Sequence, residues 1–169
     1  TNTISPTLFT FGDNYSNEIH GFSVRRTWKR IVNAGYAQRL GYWNDTEGTV
    51  SLLIEIGSES SGHSATSLYH WGGGYAQIPI NTFVRLLPIT NQNGHGDGPD
   101  TGLNNSYYPL MYYVDAYTYG IAVAVPTSAA SKTLRVSVTE LGGGANFTDS
   151  SGSTPSEAIS GLTIGTSQY

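Results

Sequence analysis

The sequence predicts an all-β fold: a mainly antiparallel β-sandwich, jelly-roll-like or interleaved, with eight or nine strands and at most one short helix. Three observations carry this. Apolar and polar residues alternate with period two wherever a period is visible, and no segment of ten or more residues shows a 3.6-residue period. Turn signals, "GDN", "NDTEG" and two "GGG" triplets, separate the alternating runs at the spacing of a sandwich or barrel.

The cleanest strand is "TVSLLIEI", in which Val50, Leu52, Ile54 and Ile56 share one face and Thr49, Ser51 and Glu55 the other. "TLRVSVTEL" repeats the pattern with Leu134, Val136 and Val138 inward, and "GIAVAVP" sets Ile121, Val123 and Val125 against alanines. Shorter runs predict further strands at "LFTF", "TWKRIVN", "YAQRLGYW", "TSLYHW", "TFVRLLPI" and "PLMYYVDAY". The one helix-start signal is "TPSEAIS", where Thr154 caps, Pro155 takes the first helical position and Glu157 closes a capping box. After Leu141 the composition turns to Gly, Ser and Thr with isolated Phe147, Ile159, Leu162 and Ile164. The chain therefore divides into a sandwich domain, residues 1–141, and a tail or linker, 142–169, that stays disordered or packs along a neighbouring chain.

A length of 169 residues is one domain's worth. The chain opens at Thr1 without initiator Met or leader, as expected of a processed chain or a piece of a longer one. Charged residues make up 12%, about half the usual share, and the net charge is -4, so the basic stripe needed to neutralise phosphates is missing and nucleic acid is not expected as a partner. No apolar run reaches the roughly 18 residues of a membrane helix, and membrane insertion is not expected. With no Cys, disulfides, thiolate nucleophiles and Cys-ligated zinc are excluded.

"NQNGHGDGPDTG", Asn91 to Gly102, is the most polar stretch. Its oxygen-bearing residues partly imitate an EF-hand loop, but Gly102 stands where the twelfth position needs a bidentate Glu. A surface loop meeting turn geometry is preferred over a metal site, and no cofactor is expected. Its length, near twenty residues between strands, marks it as functional or disordered. Catalysis has little support: "SGHS" only sets Ser beside His, no nucleophile elbow appears, and a carboxylate pair from Glu55, Glu59, Asp97, Asp100 or Asp115 depends on separations a sequence does not carry. The chain reads as a non-enzyme.

Twelve Tyr and three Trp are the stronger anomaly. Their flat apolar faces and hydrogen-bonding tips suit both sugar stacking and chain interfaces. In "PLMYYVDAYTYG" tyrosines fall on both faces of one strand, which places one side in the core and the other on a partner, or simply reflects strand propensity. "YHWGGGY" is the first choice for a ligand-contacting tip, because three glycines allow close approach while His70, Trp71 and Tyr75 flank them. In "RRTWKRI" alternation sends Arg26, Trp28 and Arg30 to one face, as a cation–π ladder or as an edge strand blunted by charge. Asn-x-Ser/Thr occurs at Asn14, Asn44, Asn104 and Asn146, matches that an Asn- and Ser-rich chain yields by chance.

The layout "TWKRIVNAG…GTVSLLIEIGS…TFVRLLPI…YYPLMYYVDAYTYGIAVAVP…KTLRVSVTELGGG", from Trp28 to Gly144, resembles the receptor-binding domains at the distal end of bacteriophage tail fibres and related trimeric fibre tips. The resemblance implies a homotrimer on the virion surface or otherwise extracellular, whose loops act as an adhesin for a surface glycan or host receptor without catalysis. It draws the ligand surface from "GYWND", "LYHWGGGY" and "NGHGDGPD", and the ring, amide, imidazole and carboxylate side chains of those stretches make Trp43, Asn44, Asp45, His70, Trp71, Tyr75, His95, Asp97 and Asp100 the candidate ligand residues. No shaft-like repeat occurs in residues 1–21. Two other classes remain open: a structural capsid or fibre trimerisation domain with its aromatics buried between chains, and a carbohydrate-active enzyme or its sugar-binding module.

Overall fold

The computed structural model of the chain describes residues 24–44, 50–59, 65–73, 81–93, 106–115, 117–142 and 146–165. The expected strand at "LFTF" lies outside them. The described strands are β1 (Arg25–Val32), β2 (Tyr36–Asn44), β3 (Val50–Ser58), β4 (Ala65–Gly73), β5 (Phe83–Arg85), β6 (Thr90–Asn93), β7 (Tyr108–Asp115), β8 (Thr118–Val125), β9 (Lys132–Gly142), β10 (Asn146–Asp149), β11 (Glu157–Ala158) and β12 (Ile164–Gly165). They form two sheets. One has the order β1-β9-β3-β4-β6; the other runs β10-β2-β8-β7-β5-β12, with β11 also paired to β2. Every pairing is antiparallel except that of β12 with β5. The predicted all-β sandwich is the observed fold, with more strands than expected because β6, β10, β11 and β12 are too short to show an alternation.

Alternation decides what the sandwich encloses. Leu52, Ile54 and Ile56 of β3, Leu134, Val136 and Val138 of β9, and Ile121, Val123 and Val125 of β8 all meet in the core between the sheets. Each such side chain contributes about 1.5–3 kcal/mol by leaving water. Aromatic rings fill one end of this space: Trp71 meets Tyr119 edge-on at 5.1 Å, Tyr113 meets Tyr119 at 4.9 Å, and Phe147 lies 4.9 Å from Trp43 and 5.9 Å from Trp28. β1 is the edge strand that its charges suggested. It also makes the cation–π contact, with the Arg26 guanidinium 4.0 Å from the Phe147 ring.

The segment after Gly142 departs from the expectation of a tail. Its described part, residues 146–165, is built into the second sheet. β10 and β11 pair with β2 at one edge, β12 pairs with β5 at the other, and the chain between them crosses the sheet's outer face. Ile159, Leu162 and Ile164 pack there on a second apolar cluster of Ala37, Phe83, Tyr108, Leu110, Tyr112, Ala122 and Ala124. The tyrosines on the far side of β7 thus meet the chain's own C-terminal segment. Composition hid this because isolated apolar residues spaced along a crossing chain carry no period. The "TPSEAIS" capping signal is likewise overridden: Glu157 pairs in β11 and only a three-residue 3-10 turn, Ile159–Gly161, follows. Its carboxylate reaches across to Arg39, accepting from Nε at 2.8 Å and from Nη2 at 3.0 Å. A forked ion pair of this kind is worth more than the capping box it replaces. Gln38 adds ties to the carbonyl of Thr154 at 2.9 Å and the hydroxyl of Ser156 at 3.0 Å.

Gly120 lets Tyr112 lie flat on β8, since a Cβ there would collide with the Tyr112 ring. Gly120→Ala should therefore cost about 1–3 kcal/mol in urea unfolding, whereas Gly161→Ala, with open space around it, should stay within about 0.5 kcal/mol of the parent.

Candidate functional site

The topology sorts the described strand termini between the two ends of the sandwich. Asn44 ends β2, Val50 begins β3, Gly73 ends β4, Asp115 ends β7 and Thr118 begins β8, all at one end. β6 runs the other way, with Asn93 opposite Ala65 at the start of β4, and β7 starts at Tyr108 opposite Ala124.

Two of the expected ligand residues belong to the core. Period-two alternation turns Trp71 inward with Tyr69, and the register shift between Arg39 and Gly41 turns Trp43 inward; Trp43 is fully buried and Trp71 is 5% exposed. The Trp43 indole donates to Glu140 Oε1 at 2.7 Å, and Arg26 forms an ion pair with the same oxygen, so the indole has a structural partner. His70 is exposed, but it stands on the outer face of the five-stranded sheet, opposite Leu53. Asn44 is exposed at the end of β2. Asp45, Tyr75, His95, Asp97 and Asp100 lie outside the described residues. Among the described residues no three His, Asp or Glu side chains converge as metal ligands.

What the structure assembles at the β2 end is a row that the sequence did not reveal. Asn146 of β10 pairs with Asn44 of β2, Asn44 with Thr118 of β8, and Thr118 with Asp115 of β7. Directly opposed residues share a face and adjacent strands are about 4.8 Å apart, so the row spans about 14 Å along the rim. Along it stand two amides, a hydroxyl and a carboxylate, of which the Thr118 hydroxyl is buried and the Asn146, Asn44 and Asp115 side chains are exposed. Asn44 Nδ2 donates to Thr118 Oγ1 at 2.8 Å, which fixes the middle of the row. At its end the Asp115 carboxylate accepts the backbone N–H of Tyr117 at 2.8 Å, an Asx turn that closes the β7–β8 hairpin and leaves Tyr117 41% exposed beside the row. The only sequence signal was indirect: Asn44, Asp115 and Thr118 stand at the ends of long strands, whereas nothing in the sequence marks Asn146.

The row's first member is held by the edge where the sheets meet. Phe147, next to Asn146, is wedged among Trp28, Trp43 and Arg26, and Gly41 leaves it room. Asp149 closes β10: it accepts from the Ser151 hydroxyl at 2.7 Å, the Ser151 backbone at 2.9 Å and, through its other oxygen, Trp28 Nε1 at 3.4 Å. These bonds, the Ser151 hydroxyl first, hold its carboxyl below the usual aspartate value.

No family model, curated protein or solved structure matches this chain. Function has to be argued from the rim itself.

Because the folded-state value of Asp149 is depressed, its contribution is present above the unfolded value near 3.9 and is lost as pH falls through the folded one. Urea midpoints measured from about pH 5 down to pH 2 should drop, and Asp149→Asn should remove part of that drop.

Proposed function

We propose that the chain is a non-catalytic binding module for surface carbohydrate, the receptor-binding tip of a trimeric fibre on a virion or other extracellular surface. The observation that supports this most is the rim row Asn146–Asn44–Thr118–Asp115 with Tyr117 exposed beside it. Sugar hydroxyls are matched by amides, which donate and accept, and by a carboxylate, which accepts, and the apolar face of a pyranose is matched by a tyrosine ring. Rigidity matters as much as chemistry. A row set on paired strands has little entropy to lose on binding. Low overall charge fits ligands held by stacking and neutral hydrogen bonds.

Burial of Trp28, Trp43 and Trp71 inside the sandwich supports a second reading. In it the domain is a structural element of a capsid or fibre, and the aromatic richness serves packing alone. No helix of the described residues is long and apolar enough to cross a membrane.

A glycan array probed with the whole chain, together with light scattering, separates the readings. The binding module should appear as a trimer that retains at least one neutral glycan, and Asn44→Ala or Tyr117→Ala should each weaken that binding about tenfold. A trimer that binds nothing on the array, or binding that both substitutions leave intact, rejects the rim as the site.

A further inference from the structure

The far end carries a second surface that the rim does not use. Where β1, β9 and the end of β3 meet, an open groove of about 420 Å³ is lined by Lys29, Arg30, Ile31, Glu59 and Thr133. Lys29 on β1 stands directly opposite Arg135 on β9, a like-charge pair of the sort that destabilises a sheet unless an anion lies between. Glu59 supplies that anion. Its Oε2 lies 2.5 Å from Lys29 Nζ, its Oε1 accepts from Arg135 Nε at 3.0 Å and lies 2.7 Å from Nη2, and its backbone N–H is fixed on the carbonyl of Thr133 at 2.9 Å. One carboxylate thus serves two cations, while Arg30, on the opposite face of β1 from Lys29, is held by Ser151 Oγ at 2.6 Å and by the Lys29 carbonyl at 2.8 Å. Ile31, on the same face two residues from Lys29 and opposite Thr133, is 74% exposed, the most exposed of the described large apolar side chains.

We propose that this groove is a subsite for an acidic sugar residue, such as a uronic acid, with the ligand carboxylate on Lys29 and the apolar face of the ring on Ile31. The inference rests on the reading of the chain as a carbohydrate-binding module and adds a class of ligand to it. Glu59 shows the chemistry: the groove already holds a carboxylate, from the chain itself. Lys29 offers three donors and Glu59 takes one, so a second carboxylate can be met by the same ammonium. A small inorganic anion would leave Ile31 without a role. A nucleic-acid backbone needs a continuous positive track, which Glu59 on one side and Asp149 beside Arg30 on the other interrupt. A uronic acid uses both the charge and the apolar floor.

The test is binding of the whole chain to polygalacturonate, with neutral dextran and duplex DNA as controls. Polygalacturonate should bind while dextran and DNA do not, and rising salt should weaken it. Lys29→Gln should weaken binding about tenfold. Glu59→Gln should strengthen it severalfold, because it removes the internal carboxylate that competes for Lys29, even though two ion pairs are lost. That opposite sign is one that a merely structural role would not produce. Ile31→Ser, a solvent-facing change with no fold penalty expected, should weaken binding without changing its salt dependence. No binding of polygalacturonate, a Glu59→Gln variant that binds less well, equal binding of duplex DNA, or indifference to both Lys29→Gln and Ile31→Ser would overturn the proposal. Failure here with neutral-glycan binding retained removes only the groove. Loss of neutral-glycan binding with polygalacturonate binding intact removes only the rim.

Discussion

β8 is buried on both faces along its whole length, and the rest of the structure follows from covering it twice. On one side Tyr119, Ile121, Val123 and Val125 require the five-stranded sheet as a second layer. On the other, Gly120, Ala122 and Ala124 are too small to fill space themselves, and something must lie close upon them. Tyr112 covers Gly120, and Ile159, Leu162 and Ile164 of the C-terminal segment complete the layer. Leaving that face bare would expose a contiguous apolar surface of the kind that drives association.

The same segment solves a second problem. An open sheet has two edges that invite pairing with other chains. Here β10 and β11 occupy the β2 edge and β12 the β5 edge, so one stretch of twenty residues covers the face and closes both sides. The Arg39–Glu157 fork anchors it midway, with the Arg39 guanidinium also 4.5 Å from the Tyr112 ring. The Glu157 carboxylate, hydrogen-bonded to Arg39, raises the guanidinium's affinity for its proton against the cost of burial. Burial in turn pushes the Tyr112 phenol up. The anchor stays a cation over a neutral ring. Because β10 is part of this segment, the position of Asn146 in the rim row depends on the segment being in place.

The sandwich was legible because alternation is a local property. Leu52, Ile54, Ile56, Leu134, Val136 and Val138 each declare their face within a few residues, and the structure places them inward. The C-terminal segment was not legible: Ile159, Leu162 and Ile164 contact residues more than thirty positions away and follow no period of their own. The candidate site was legible in part. Asn44 was singled out, but Trp43 and Trp71 were read as binding residues for the chemistry of their rings; the alternation of β4 assigns Trp71 to the core, whereas Trp43 reaches it through a register shift in β2 that no pattern announces. The rim row depends on register, on Asn146 meeting Asn44 and Thr118 meeting Asp115, and register is fixed by partners a sequence does not name.

The central claim is that residues 146–165 belong to the fold as fully as β8 does. Native-state hydrogen exchange tests it directly. The amide of Ile159, bonded to the Gly35 carbonyl at 2.9 Å, the amide of Phe83, bonded to Thr163 at 2.9 Å, and that of Ser150, bonded to Leu40 at 3.0 Å, are the reporters. All three should open only with the global free energy that governs the amides of β8. Exchange of these amides at free-peptide rates, while β8 stays protected, would contradict the account.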